Sequence, residues 1–378
     1  MRNLPLASVT LAVAFASASF AQADDFQAKA AAAFQPVVKQ YDIPGLIVGI
    51  TRNGTHEFYA TGLASRADRR EVTSETLFEL GSISKLFNVT LAALAEQRGK
   101  LKLEDKVAHH LCADTCRIGD DLTLMDLATH HTGGMPLQVP DSVSDVNGLV
   151  DWMKDWKPAN PGARSYSNVS IGMLGHISAK AMGMPYAKAA EGTLFPALGL
   201  KNTFITVPQS QMKLYAYGYN KANQPIRVGK GLADAEAYGV KSSASDMLTF
   251  LDAELGTGSI SGELQKAIAR TKTGQLQTAY FSQAMVWEEY PWPVKLDQMV
   301  AGNSPDFILK PQPVEKLTTP AKQGEGVILN KTGSTNGFGG YVAILPEKKL
   351  GIVVLANRNY PNEARIRATY ALIKSLGE

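Results

Sequence analysis

The two ends of this 378-residue chain carry matching patterns, and that match restricts the fold more than any other feature. Near the front, Phe26, Ala30, Phe34, Val37, Val38 and Tyr41 recur at helical spacing over residues 25–41. Two strand-like runs follow, Leu46 to Arg52 and His56 to Gly62, joined by Asn53-Gly54, a strong short hairpin signal. At the back, Gly326 to Lys331, Tyr341 to Pro346 and Leu350 to Ala356 read as strands, and Asn362 to Leu376 as a closing helix. Strands with polar turns between them pair most simply with their neighbours, so both ends are expected to share one antiparallel sheet. The middle, from Ser82 to about Leu200, is mainly helical with Gly/Pro loops at 131–136 and 158–162. The predicted class is therefore α+β: an antiparallel sheet flanked by N- and C-terminal helices, plus a helical lobe over about 82–200. A proline-rich span, Pro291 to Pro320, is expected to wander over the surface. No internal repeat or linker divides the chain.

The N-terminus reads as an export signal. Arg2 precedes an apolar run from Leu4 to Phe20, then Ala21-Gln22-Ala23 and an acidic pair. Residues 1–23 are expected to be removed, leaving 24–378 as a single exported domain, monomeric and without a membrane anchor. No later run approaches the roughly 18 apolar residues of a spanning helix. A net charge of +3 with no block of basic residues argues against a nucleic-acid partner. Cys112 and Cys116 read as a short-loop disulfide in an exported protein, with two free thiols as the alternative. Neither they nor His130-His131 have the spacing of a metal site, and no cofactor is expected.

Chemistry concentrates at Gly81-Ser82-Ile83-Ser84-Lys85, where a strand-like segment gives way to a helical pattern ending near Gly99. Residues three apart share a helix face, which holds Lys85 beside Ser82. A partly desolvated lysine can lose its proton near neutral pH and take one from a serine. The helix N-terminus supplies backbone N–H groups where an oxyanion develops. Alone, Ser-x-x-Lys is weak, since an N-cap serine and a solvated lysine give the same spacing.

Two more stretches strengthen it. Tyr166-Ser167-Asn168 offers a phenol that nearby ammonium groups can acidify and an amide able to bond a lysine and a substrate. Lys331-Thr332-Gly333-Ser334 ends a predicted strand with cationic and hydroxyl donors suited to an anionic ligand. Together the three stretches resemble the serine penicillin-recognising enzymes. The segments 77–85, 132–140, 234–242 and 355–362 resemble class C β-lactamases more closely, and Tyr-Ser-Asn is the class C form of the second motif. A class A type glutamate is missing: Glu191-Gly-Thr-Leu-Phe195 lacks the required asparagine.

The resemblance implies a serine hydrolase that opens the β-lactam ring of cephalosporins and penicillins through an acyl-enzyme, conferring antibiotic resistance. Ser82 would be the nucleophile, with Lys85 and Tyr166 sharing proton transfer and the base undecided between them. The backbone N–H groups of Ser82 and Ser334 would form the oxyanion hole. Gln138 and Asn168 would hold the acyl side-chain amide, Tyr238 would wall the pocket, Lys331, Thr332, Asn362 and Arg365 would face the substrate carboxylate, and Gly333 would let the ligand approach the backbone. The alternatives on the same fold are a D-alanyl-D-alanine carboxypeptidase or esterase, and a penicillin-binding sensor that stays acylated.

Overall fold

A computed structural model describes residues 9–119, 121–318 and 326–378, with side chains from residue 25 onward. The export signal expected over residues 1–23 therefore lies outside the residues described with side chains. The predicted first helix is part of α1 (Val9–Gln40). The hairpin is β1 (Gly45–Arg52) and β2 (Thr55–Ser65), and a short β3 (Phe78–Glu79) leads toward α2 (Ser84–Gln97). Next come α3 (Asn168–Ala181), α4 (Ala244–Leu255) and β4 (Glu288–Pro291). The chain closes with β5 (Val327–Ser334), β6 (Gly339–Leu345), β7 (Leu350–Ala356) and α5 (Asn362–Ser375).

The ends do share a sheet. Its main strands run β4, β5, β6, β7, β1, β2, every neighbour antiparallel, with Leu46 opposite Ala356 and Arg52 opposite Leu350. Period-two alternation sorts the side chains. Leu46, Val48, Ile50, Ile352 and Val354 join Phe26, Phe34, Leu372 and Ile373 beneath α1 and α5. Ile47, Val342, Ile344, Val353 and Leu355 face the other way, into the core of the helical lobe. On that second face α4 lies close: a Cβ on Gly49 would sit 3.1 Å from Leu248, so the small residue lets helix and sheet approach.

Helix α2 is the axis of the lobe. Every residue from Ser84 to Ala95 is buried, polar ones included. Their donors are bonded: Asn88 Nδ2 donates to the carbonyls of Ile171 and Glu236, and Thr90 Oγ1 to that of Leu86. Such satisfaction is what lets a helix be buried all round. The proline-rich span departs from expectation. Between Pro291 and Leu309 it forms two short helices, Leu296–Gly302 and Pro305–Leu309, and buries Val294, Met299, Phe307 and Ile308 at 8% exposure or less. Apolar residues between the prolines anchor it, because proline stops long helices without preventing packing. Cys112 and Cys116 are joined as a disulfide after the helix Val107–Cys112. Among the described residues no helix is long and apolar enough to cross a membrane, and no group of His, Cys, Asp or Glu is arranged to hold a metal ion.

Candidate active site

The site is where the start of α2 meets the end of β5. Between β3 and α2 the chain makes a 3-10 turn, Gly81–Ile83, carrying Ser82. Gly81 has φ +53°, and a Cβ there would lie 2.4 Å from the Ser334 nitrogen; a Cβ on Gly333 would lie 2.0 Å from the Leu80 carbonyl. Only glycine allows both approaches, so Gly81 and Gly333 are what set Ser82 against the strand end. Arg365 secures that end from behind. Its guanidinium donates to the Gly333 carbonyl at 2.8 Å, Ser334 Oγ at 3.0 Å and the Gly340 carbonyl at 3.2 Å, and also to Asn359 Oδ1 and the Tyr360 carbonyl.

Lys85 is fully buried and donates to Ser82 Oγ at 3.0 Å, Asn168 Oδ1 at 2.7 Å and the Ala237 carbonyl at 2.8 Å. An ammonium has three protons, so this geometry satisfies it completely and leaves its release of one to a change in charge nearby. Burial is the main reason its pKa falls, to about 8, and Lys331 lowers it further while Tyr166 opposes. Tyr166 sits between cations: Lys85 Nζ and Lys331 Nζ each lie 5.2 Å from its ring centre, and the Arg164 guanidinium carbon 5.7 Å. Burial alone would push its phenol up. Lys331, Lys85 and the Ser82 hydroxyl outweigh it and bring the phenol down to about 8. The two groups are coupled, and a proton leaving the pair belongs to both.

Helix α3 supplies Asn168 as its first residue, with Ser167 as the N-cap whose Oγ accepts from the Ser170 N–H at 3.0 Å. The same Oγ donates to the Pro136 carbonyl at 2.6 Å, and the Asn168 N–H donates to the Leu137 carbonyl at 2.8 Å. These bonds hold the 131–138 loop against the helix and put Gln138 Oε1 3.2 Å from Asn168 Nδ2.

Two hollows meet at Ser82 and Ser334. One, about 450 Å³, is lined by Gln138, Asn168, Tyr238, Thr335, Asn336 and Asn359, with Val228 to Gly231 as its far wall. The other, about 130 Å³, holds Tyr166, Lys331, Thr332, Gly333, Asn362 and Ile308. The structure thus gathers all the residues named from the sequence except one. Arg365 is 0% exposed and lines neither hollow. The expectation that it faces a substrate carboxylate gives way to a different placement: its two terminal amino groups are taken up by Gly333, Ser334, Gly340, Asn359 and Tyr360, so it holds the strand end that carries Ser334.

Sequence reasoning missed a buried pair behind Tyr166. Arg164 and Glu288 are both 0% exposed, with Arg164 Nη2 3.9 Å from Glu288 Oε1. Arg164 Nε donates to Gln283 Oε1 at 2.7 Å, and Glu288 lies on β4 opposite Asn330 of β5, next to Lys331. Burial raises the Glu288 carboxyl pKa against the pull of Lys331 and Arg164. The signal was present as two adjacent acids, Glu288 and Glu289, inside the apolar run from Met285 to Tyr290. Glu79 was missed too. Its carboxylate accepts from Tyr215 Oη at 2.6 Å, the Val228 N–H at 2.7 Å and Thr335 Oγ1 at 2.6 Å, tying both walls of the larger hollow to β3.

Chemically, the arrangement offers a hydroxyl bonded to an amine, an acidified phenol, a cationic recess and a helix N-terminus around one point. Those are the parts of an acyl-transfer site. The sequence pattern of the Beta-lactamase family matches residues 30–376. A β-lactamase of Pseudomonas fluorescens is 43% identical over 91% of this chain and 97% of its own. The crystal structure of a class C β-lactamase from Rhodobacter sphaeroides is 61% identical, covering 93% of this chain and 99% of its own, with a TM-score of 0.90. A β-lactamase/D-alanine carboxypeptidase from Pseudomonas syringae is 41% identical over 92% of this chain and 98% of its own, with a TM-score of 0.89. On its fold and the extent of these matches, this chain belongs to the Beta-lactamase family, in its class C branch.

Proposed function

We propose that the protein hydrolyses the β-lactam ring of cephalosporins and penicillins through an acyl-enzyme on Ser82, and so confers resistance to these antibiotics. The observation that carries this reading is the Lys85 Nζ to Ser82 Oγ bond of 3.0 Å, in a site where the phenol of Tyr166 is also brought down to about 8. In acylation Ser82 Oγ attacks the ring carbonyl, and its proton passes to the Lys85–Tyr166 pair. The backbone N–H groups of Ser82 and Ser334 receive the oxyanion. The carbonyl–nitrogen bond then breaks, and the ring nitrogen takes a proton from the same pair. Water, deprotonated beside Tyr166, attacks the ester, and Ser82 regains its proton as the open acid leaves. Lys331, Thr332 and Asn362 face the substrate carboxylate, while Gln138 and Asn168 hold the acyl amide and Tyr238 walls its side.

Two supports favour residues 24–378 acting as one exported catalytic domain in the periplasm: the apolar run and small-residue cleavage site before Asp24, and the sheet shared by both chain ends. A second reading, D-alanyl-D-alanine carboxypeptidase activity at the same serine, is favoured by the Pseudomonas syringae relative that bears both names. Purified protein mixed with excess chromogenic cephalosporin separates these. Many products per enzyme are expected. A single burst matching the enzyme concentration, with a persistent adduct on Ser82 by mass spectrometry, would replace hydrolysis with the carboxypeptidase or sensor reading.

A further inference from the structure

Beyond the larger hollow lies a cavity of about 740 Å³, and Asn336 and Asn359 form a wall common to both. Its sides are aromatic. Tyr41 and Tyr360 stand with ring centres 5.9 Å apart, and Tyr219 comes from a short hairpin, Gly218–Tyr219 with Pro225–Ile226. The hairpin turn is built rigidly: Asn220 Oδ1 accepts from the Ala222 N–H at 2.9 Å and the Gln224 N–H at 3.0 Å, and Tyr219 bridges to Arg358. The cavity is therefore preformed rather than opened by a ligand.

Its polar groups point to an anion. Arg358 and Lys221 line it, and Arg66 stacks over Tyr219 with its guanidinium carbon 5.0 Å from the ring centre. Asp42 pairs with two of these cations, 3.3 Å from Arg358 and 3.4 Å from Arg66, and no ion pair involves Lys221 among the described residues, so positive charge remains. Lys221 is exposed on the hairpin turn. Arg358 is half-buried in the cavity wall, so an anion entering the cavity meets it together with Lys221.

The direction of the cleft supplies the ligand class. In the reading above, the substrate carboxylate sits with Lys331 in the small hollow, and the acyl amide sits with Gln138 and Asn168 in the large one. Gln138, Asn168, Asn336 and Asn359 line the same large hollow, and Asn336 and Asn359 also line this cavity, so an acyl arm held at its amide has the cavity next along the cleft. We propose that the cavity is a distal subsite that takes the end of a long acylamino arm terminating in a carboxylate, its methylenes against the tyrosines and its charge beside Lys221 and Arg358. The assignment of the arm rests on the proposed function; the cavity and its charges do not.

The test uses two cephalosporins with the same nucleus, one bearing an acetyl side chain and one an adipyl side chain. Calorimetry with Ser82→Ala protein measures binding without turnover. The adipyl compound is expected to bind about fivefold more tightly, the scale of a partly exposed ion pair. Lys221→Glu should abolish that preference, and Arg358→Gln should reduce it, with acetyl-compound binding unchanged within twofold. Lys221 is on an exposed turn, so its substitution keeps the test valid even where Arg358→Gln lowers the melting temperature. Equal binding of the two compounds, or a preference that survives Lys221→Glu, overturns the subsite. Failure of the hydrolytic reading shows separately, as wild-type protein that does not turn over the acetyl compound.

Discussion

On one side of Ser82 stand Lys85, Tyr166, Lys331, Arg164 and Glu288, none more than 9% exposed. On the other side Gln138, Lys230, Ser334, Asn336 and Asn359 are exposed to solvent. The first group is a cluster of charges with little water between them, where Coulomb interactions are strong and pKa values move. The second is a set of three amides, one hydroxyl and one amine that water screens. The difference divides labour within one cleft. Changes on the buried side should alter the rate of bond making; changes on the exposed side should alter which acyl arms are preferred, and by less.

The largest effect is expected at the centre of the buried side. Tyr166→Phe keeps the ring among its cations and removes only the ionisable oxygen, and turnover should drop by roughly 10²–10⁴-fold, the range for losing a general acid–base group. Steady-state kinetics on a cephalosporin checks this. A loss under tenfold would move the proton work to Lys85 alone. Next is Lys331→Ala, which removes a charge-assisted bond of roughly 1.5–3 kcal/mol and should lower kcat/KM for carboxylate-bearing β-lactams by about 10- to 150-fold. If an esterified analogue suffers equally, Lys331 acts through Tyr166 rather than through the substrate.

Glu288→Gln sharpens the comparison through pH. With Lys85 and Tyr166 both brought to about 8, the rate of wild type should climb as pH rises toward 8, because the proton-accepting form of the pair becomes populated. Glu288 raises the phenol pKa. Neutralising it therefore makes deprotonation easier, and the ascending limb should move to lower pH. A limb that stays in place, measured with a folded variant, would show that Glu288 serves packing alone. Smallest is Gln138→Ala on the exposed side: loss of one neutral hydrogen bond of roughly 0.5–1.5 kcal/mol should raise KM for acylamino substrates a few-fold and leave kcat near its wild-type value. A collapse of kcat would erase the distinction between the two sides.

The sequence alone was enough for whatever depends on short spacing or on pattern. Ser82 and Lys85 meet because side chains three apart stand one above the other through a 3-10 turn and the helix it leads into, and the antiparallel sheet was legible because alternation and turn residues are local signals. Tyr166 and Lys331 were picked out by motif resemblance, since nothing in their own neighbourhoods separates a proton relay from a bonded tyrosine or a strand end. Tertiary structure alone decided the rest. It directed the guanidinium of Arg365 into the backbone of β5 and β6, buried the apolar residues between the prolines of 291–309, and set Glu288 behind Tyr166 across β4 and β5. Residues 122 positions apart, such as Tyr166 and Glu288, meet only when strands and helices pack, and the energy of a charge depends on what that packing removes from water.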